Sequence, residues 1–178
     1  VHILVNNAGG PPSKTFAETS ITDWRDGVEL NLMSAIFFCK AVLPHMRRQR
    51  WGRIINITSL AVKQPIDGLI LSNAVRAGVT GFAKTLANEA AAENILVNNV
   101  CPGYTHTERV DALLETTAAR QGIPREAALQ QIESKIPLGR MGRPEELANL
   151  IVFLASERAS YLTGASIQVD GGLFRGLL

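Results

Sequence analysis

Four residues have types and positions suited to work on a small polar molecule: Asn31, Ser59, Ser72 and Arg76. Ser59 ends an apolar, β-branched run that begins at Arg53. Ser72 opens a long helical pattern and Arg76 follows four residues later, so the two share one helix face. An arginine there can bind hydroxyl groups and keep a site positive, but it stays charged and does not readily relay a proton. A serine hydroxyl is a far weaker acid than a phenol, which titrates near ~10. Asn31 lies inside another helical pattern, where asparagine is only a modest helix former and needs a reason. Plainer roles compete: a surface arginine for Arg76, a helix N-cap hydroxyl for Ser72 and a solvated helix asparagine for Asn31. Tyr104, Lys63 and His106 are further candidates for a proton donor, each with the competing role of lining a pocket or facing solvent. Cys101 precedes Pro102-Gly103, but no histidine is placed nearby in sequence to activate it. No metal site is expected.

The elements that must position these residues alternate. Val1 to Val5 is an apolar strand ending in the turn signal Asn6-Asn7-Ala8-Gly9-Gly10. The spacing of Trp24, Val28, Leu32, Ala35 and Ile36 predicts a helix from Thr22, as its cap, to Arg48. Ile54, Ile55 and Ile57 predict a strand covered on both faces. A helix is expected over 71–92, a strand over 95–101, and a helix over 144–156 with Pro144 in its first turn. A last short strand is expected over 166–169. The polar stretch 107–135 predicts two short helices broken near Gly122-Ile123-Pro124. Its apolar face of Val110, Leu113, Leu114 and Ala118 suits a lid. Strands and helices alternating at this spacing predict a parallel sheet with right-handed crossovers.

The 178 residues suit one domain with a real core. Apolar residues make up 46% and charged residues 19%, with a net charge of +2. That charge is too small to argue for nucleic acid or an anionic membrane. Arg47, Arg48 and Arg50 cluster at a helix end, where they favour the helix dipole. No apolar run is expected to reach a membrane span and no signal peptide is seen, so a cytoplasmic location is expected. Cys39 and Cys101 read as buried free thiols, in keeping with a reducing compartment. The chain opens at Val1 inside an apolar run, which reads as a fragment, a processed chain or part of something longer.

Six blocks, in order and correctly spaced, resemble the short-chain dehydrogenase/reductase family over almost the whole chain. They are Asn6-Asn7-Ala8-Gly9, Asn31 in its helix, Ser59 with the Ser72/Arg76 segment, Asn98 followed by Pro102-Gly103, and two C-terminal blocks. The last two are Ile136–Arg140 with Pro144-Glu145-Glu146, and Tyr161–Gly164 leading to Asp170-Gly171-Gly172. The resemblance implies an α/β fold, a Rossmann-like doubly wound parallel sheet, matched here from the family's fourth strand onward. The family's Gly-rich cofactor turn, Thr-Gly-x-x-x-Gly-x-Gly, has no counterpart in this sequence.

The resemblance also implies roles. Asn31 would hold a relay water and Ser59 would polarise a substrate carbonyl. Asn6, Ala8, Gly9 and Arg76 would lie against an NAD or NADP cofactor. Pro102, Gly103, the backbone near Thr105 and the hydroxyl of Thr107 would grip its nicotinamide. The family has Tyr where this chain has Ser72, and Lys where it has Arg76. No tyrosine lies between Ser59 and Tyr104, so no shift of frame recovers one. Two readings follow. One is an NAD(P)-dependent oxidoreductase on a carbonyl or secondary alcohol, similar to 3-oxoacyl-carrier-protein reductases, with a weakened or replaced acid. The other is a non-redox member that binds a ligand or partner, or performs other chemistry such as ester hydrolysis. The resemblance further implies a homo-oligomer, a small-molecule substrate and neither nucleic acid nor membrane as partner. Without the Gly-rich turn, NAD(P)H binding by this chain is expected to be weak or absent.

Overall fold

A computed structural model describes residues 1–177. Four strands, β1 (Ile3–Asn6), β2 (Gly52–Ile57), β3 (Ile95–Pro102) and β4 (Ser166–Val169), form one sheet in that order, each parallel to its neighbour. The β-branched composition of β2 and β3 fits their burial on both faces, since residues alternate sides along a strand. On one face Ile54, Ile95 and Val97 pack with Cys39, Met46, Ala83 and Ala87. On the other, Ile55 and Val100 pack with Leu154 and Ala159.

The first face is covered by α1 (Ile21–Gly27), a π-helical turn (Val28–Met33), α2 (Ser34–Gln49) and α3 (Ile70–Ala90). The second is covered by α6 (Pro144–Ala155). The chain steps along the sheet in one direction throughout. Two connections nevertheless run over one face and the third over the other, so the three crossovers do not share a hand. Uniform right-handed crossovers were the expectation. The physical reason for the exception is the need to cover the second face of β2 and β3, reached through the long stretch between β3 and α6. That stretch holds α4 (Glu108–Gln121) and α5 (Arg125–Glu133), divided at Gly122-Ile123-Pro124 as expected. They build a small core of their own from Leu114, Ala118, Ala128, Ile132, Ile136 and Met141.

Local details depart from the pattern in three places. The first long helix is capped by Ser20, not Thr22: the Ser20 Oγ accepts from the Asp23 N–H at 3.1 Å, and the Asp23 carboxylate accepts from the Ser20 N–H at 2.8 Å. This reciprocal pair puts the cap two residues earlier than the apolar spacing suggests. Strand β1 starts at Ile3, and Ile3 and Val5 remain exposed along an edge that no described strand pairs. The continuous helical run Ile21–Gln49 is long and apolar enough to cross a membrane, contrary to the expectation that no segment is. In this fold it is a sheet-covering helix whose inner side chains Ala35, Cys39 and Met46 are buried.

Across the four strands runs a row of polar side chains in one register. The Asn6 amide donates to Asn56 Oδ1 at 2.8 Å, the Asn56 amide to Asn99 Oδ1 at 3.0 Å, and the Asn99 amide to Ser166 Oγ at 3.0 Å. Buried amides must be paired, and here each pairs with the next strand.

Candidate functional site

The site lies at the C-terminal ends of the strands, where open α/β sheets place their crevices. A cavity of about 520 Å³ opens there. The turn after β1 contributes Gly9 and Gly10, the end of β2 contributes Thr58 and Ser59, and the end of β3 contributes Pro102 and Gly103. Ser72 and Arg76 enter from α3, Arg109 and Val110 from α4, and Leu147 and Ile151 from α6.

Ser59 is the N-cap of a short 3₁₀ turn, and its Oγ accepts from the Ala61 N–H at 3.1 Å. Its hydroxyl donates to no partner among the described residues, and Ser59 lines the cavity. Ser72 is the third residue of α3, whose N-cap is Leu69, so the N-cap role is excluded. It is buried, lines the same cavity, and its hydroxyl makes no hydrogen bond among the described residues.

Arg76 is not a surface arginine. Its Nη1 donates to the carbonyls of Ile57 and Thr58, both at 2.8 Å, and its Nη2 donates to the Gly9 carbonyl. It therefore ties α3 to the ends of β1 and β2. Burial, and then the like charge of Arg109, pushes its pKa down to about 10. It still remains a cation at neutral pH.

Asn31 is buried inside the π-helical turn, which accounts for an asparagine in a helix interior: the extra residue in the turn aims the side chain inward. Its Nδ2 donates to the Gly9 carbonyl at 3.0 Å. Gly9 adopts φ +64°, the left-handed region that favours glycine, and its carbonyl thereby receives both Asn31 and Arg76. Asn31 does not line the large cavity. With Asn6, Ala8, Thr58 and Arg76 it lines a second cavity of about 10 Å³ directly behind it. The Oδ1 atoms of Asn6 and Asn31 are both buried acceptors without a protein partner.

The Pro102-Gly103 turn is set by a close approach. A Cβ on Gly103 would lie 2.7 Å from Asp170 Cβ, at the end of β4. Thr105 is buried, and its carbonyl accepts the Thr107 hydroxyl at 3.3 Å; both residues line the large cavity. Asn98 ties β3 to the segment before β4 through Leu162 O and the Ala165 N–H, a structural role.

Among the alternative acids, Tyr104 lines the cavity, and burial raises its pKa, which makes it a poorer proton donor. Lys63 and His106 are not among the lining residues. Cys39 and Cys101 are both buried and free, and burial raises both thiols, Cys39 to about 11, so neither is activated. Of the supposed lid face, Val110 and Leu113 line the cavity while Leu114 and Ala118 pack within the α4–α5 core. Sequence reasoning missed Arg109. Its place at the start of an amphipathic helix reads as solvent-facing, and only the fold of the turn after β1 brings it to the cavity.

The geometry coincides with what known proteins show. A family described as Enoyl-(Acyl carrier protein) reductase matches residues 1–174. The chain is 41% identical over 174 residues to the 3-oxoacyl-[acyl-carrier-protein] reductase FabG of Aquifex aeolicus, covering 98% of this chain and 66% of that protein. It is 37% identical to an acetoacetyl-CoA reductase of Shinella zoogloeoides, with coverage of 98% and 68%. The chain thus spans about two thirds of the length of these relatives. Among solved structures, YwfH, an NADPH-dependent reductase involved in bacilysin biosynthesis, superposes with a TM-score of 0.93 at 32% identity, covering 99% of this chain and 68% of that one. L-sorbose reductase from Gluconobacter frateurii, solved with NADPH and L-sorbose, gives 0.91 at 36% identity, covering 98% and 67%. The parallel sheet, the strand-end cavity and these matches along nearly the whole chain agree, and the protein belongs to the short-chain dehydrogenase/reductase family.

Proposed function

We propose that the protein is an NAD(P)-dependent oxidoreductase, 3-oxoacyl reductase-like, that interconverts a small-molecule carbonyl and a secondary alcohol through a weakened acid. The observation that carries this reading is the meeting of Ser59, Ser72 and Arg76 with the Pro102-Gly103 turn and Thr107 around one cavity. Its volume of about 520 Å³ suits a small ligand. The nicotinamide end of a dinucleotide fits the donor set. Pro102, Gly103, Thr105 and Thr107 would hold the carboxamide and Gly9 and Arg76 would flank the ribose, whereas Asn6 and Ala8, expected against the cofactor, line the small cavity instead. When bound, the cofactor supplies the hydride.

The chain's own residues then have distinct tasks. The Ser59 oxygen is already used as an acceptor, which leaves its proton available for donation to a substrate carbonyl oxygen. Arg76 provides fixed positive charge where negative charge develops on that oxygen. The proton is the weak point. The Ser72 hydroxyl is a poor acid, and burial raises Tyr104. The remaining route is a water in the small cavity between Asn31 and Asn6, whose two unpartnered acceptors would hold it. Because Arg76 does not give up its proton, this route is slow. In full-length protein shown to bind NADPH, assayed with a 3-oxoacyl thioester, Ser59→Ala lowers the reduction rate about 10²-fold with NADPH affinity unchanged. An unchanged rate overturns the assignment.

The lack of an efficient acid favours one second reading, a non-redox member that binds its ligand or hydrolyses an ester. Turnover of a neutral ester without nucleotide, lost in Ser72→Ala, would select it. In either reading the protein works in the cytoplasm, where its buried free thiols stay reduced, and assembles as a homo-oligomer. Leu30, Phe37 and Phe38 stand exposed along the first long helix, an apolar surface suited to a second copy.

A further inference from the structure

Two guanidinium groups meet in the cavity with nothing to balance them. A Cβ built on Gly10 would lie 3.4 Å from Nη2 of Arg109 and 3.5 Å from Nη2 of Arg76, so both groups converge on the space above that residue. Neither arginine takes part in any ion pair among the described residues. Their hydrogen bonds run to neutral carbonyls: Arg76 to Ile57, Thr58 and Gly9, and Arg109 to Pro11. No aspartate or glutamate is among the cavity's lining residues. Two like charges brought this close, one of them on the partly buried Arg76 and neither with a counter-charge, repel until an anion joins them.

We propose that Arg76 and Arg109 form a seat for an oxyanion, a carboxylate or phosphate group, on a small molecule whose apolar part lies along the rest of the cavity. Guanidinium groups match the planar, paired oxygens of these anions. Arg76 keeps its Nε–H free, and Arg109 uses only one of its donors, so both have N–H groups left for the ligand. The buried Ser72 hydroxyl, without a protein partner, is a further donor on the cavity wall. Leu60, Leu69, Val110 and Leu113 offer an apolar wall for the body of the ligand. The arrangement also gives a reason for arginine at position 76. Its charge serves binding here, where proton relay would need a group that titrates.

This inference concerns binding alone and stands whether or not hydride transfer occurs. Isothermal calorimetry on the protein without nucleotide tests it with three probes: 3-oxohexanoate, its uncharged methyl ester, and inorganic pyrophosphate. The acid or pyrophosphate should bind at least ~10-fold more tightly than the ester, which corresponds to one charge-assisted contact. Arg109→Gln should abolish that advantage while the circular dichroism spectrum is unchanged, because Arg109 is exposed and outside the core. Preference for the acid alone assigns the seat to a substrate carboxylate, and binding of pyrophosphate assigns it to a phosphate group. Equal binding of acid and ester with no binding of pyrophosphate overturns the proposal. So does an anion preference that survives Arg109→Gln.

Discussion

Gly9 and Gly103 organise the site from the turns after β1 and β3. The Gly9 carbonyl, turned by its positive φ, collects Asn31 from the first long helix and Arg76 from α3. Gly103 lets the turn after β3 pass against Asp170. Gly103→Ala would force a Cβ–Cβ distance of 2.7 Å and so shift the turn. The expected outcome is a loss of about 1–3 kcal/mol in denaturant unfolding, with a lower midpoint. Individual residues were legible in the sequence to different degrees. Ser59 was readable through the resemblance of its segment to the family's, since a hydroxyl that ends a strand also serves, as here, to cap the turn that follows. Arg76 was readable in position but not in contacts, since no sequence pattern tells that a guanidinium will bind three carbonyls from two strand ends. Arg109 was not readable at all, because its placement depends on how α4 meets the turn after β1.

At the scale of elements, helix and strand types followed from periodicity, whereas their ends followed from local hydrogen bonding. The first long helix starts at Ile21 because Ser20 and Asp23 satisfy each other's backbone N–H groups, one turn before the apolar stripe begins. The π-helical turn around Asn31 leaves no mark in composition, as it adds one residue to a turn without changing the residue types. The opposite hand of the last crossover was equally hidden, since apolar content on β2 and β3 says both faces are covered but not by which connection. The cap is open to titration. The Lys14 side chain, then the Ser20 backbone and hydroxyl, hold Asp23 at a pKa of about 2, below the 3.8 it has when unperturbed. A carboxylate with a depressed folded pKa stabilises fully above the unfolded value and loses that contribution as pH falls through the folded one. The cap should therefore hold undiminished down to about pH 4 and weaken towards pH 2. Carboxyl-carbon NMR of Asp23 should show its midpoint near 2, and a midpoint near 4 would show that the cap does not form.

For the whole molecule, two separate apolar features are exposed: the unpaired edge strand β1, with Ile3 and Val5, and the outer surface at Leu30, Phe37 and Phe38. A parallel sheet with an open apolar edge is a liability unless something covers it. Light scattering should therefore find an oligomer, and Phe37→Glu with Phe38→Glu should shift it to smaller species. A wild-type monomer with no tendency to associate would count against this assembly. The account proposed above is that the part of a reductase frame spanned by this chain surrounds an inefficient acid, with serine and arginine in the places of a tyrosine and a lysine. It is tested most directly by restoring them. In full-length protein shown to bind NADPH, with a 3-oxoacyl thioester in excess, Ser72→Tyr combined with Arg76→Lys should raise the reduction rate by about 10²-fold or more, the usual contribution of a positioned acid. No gain in a variant that folds and binds NADPH would contradict the account.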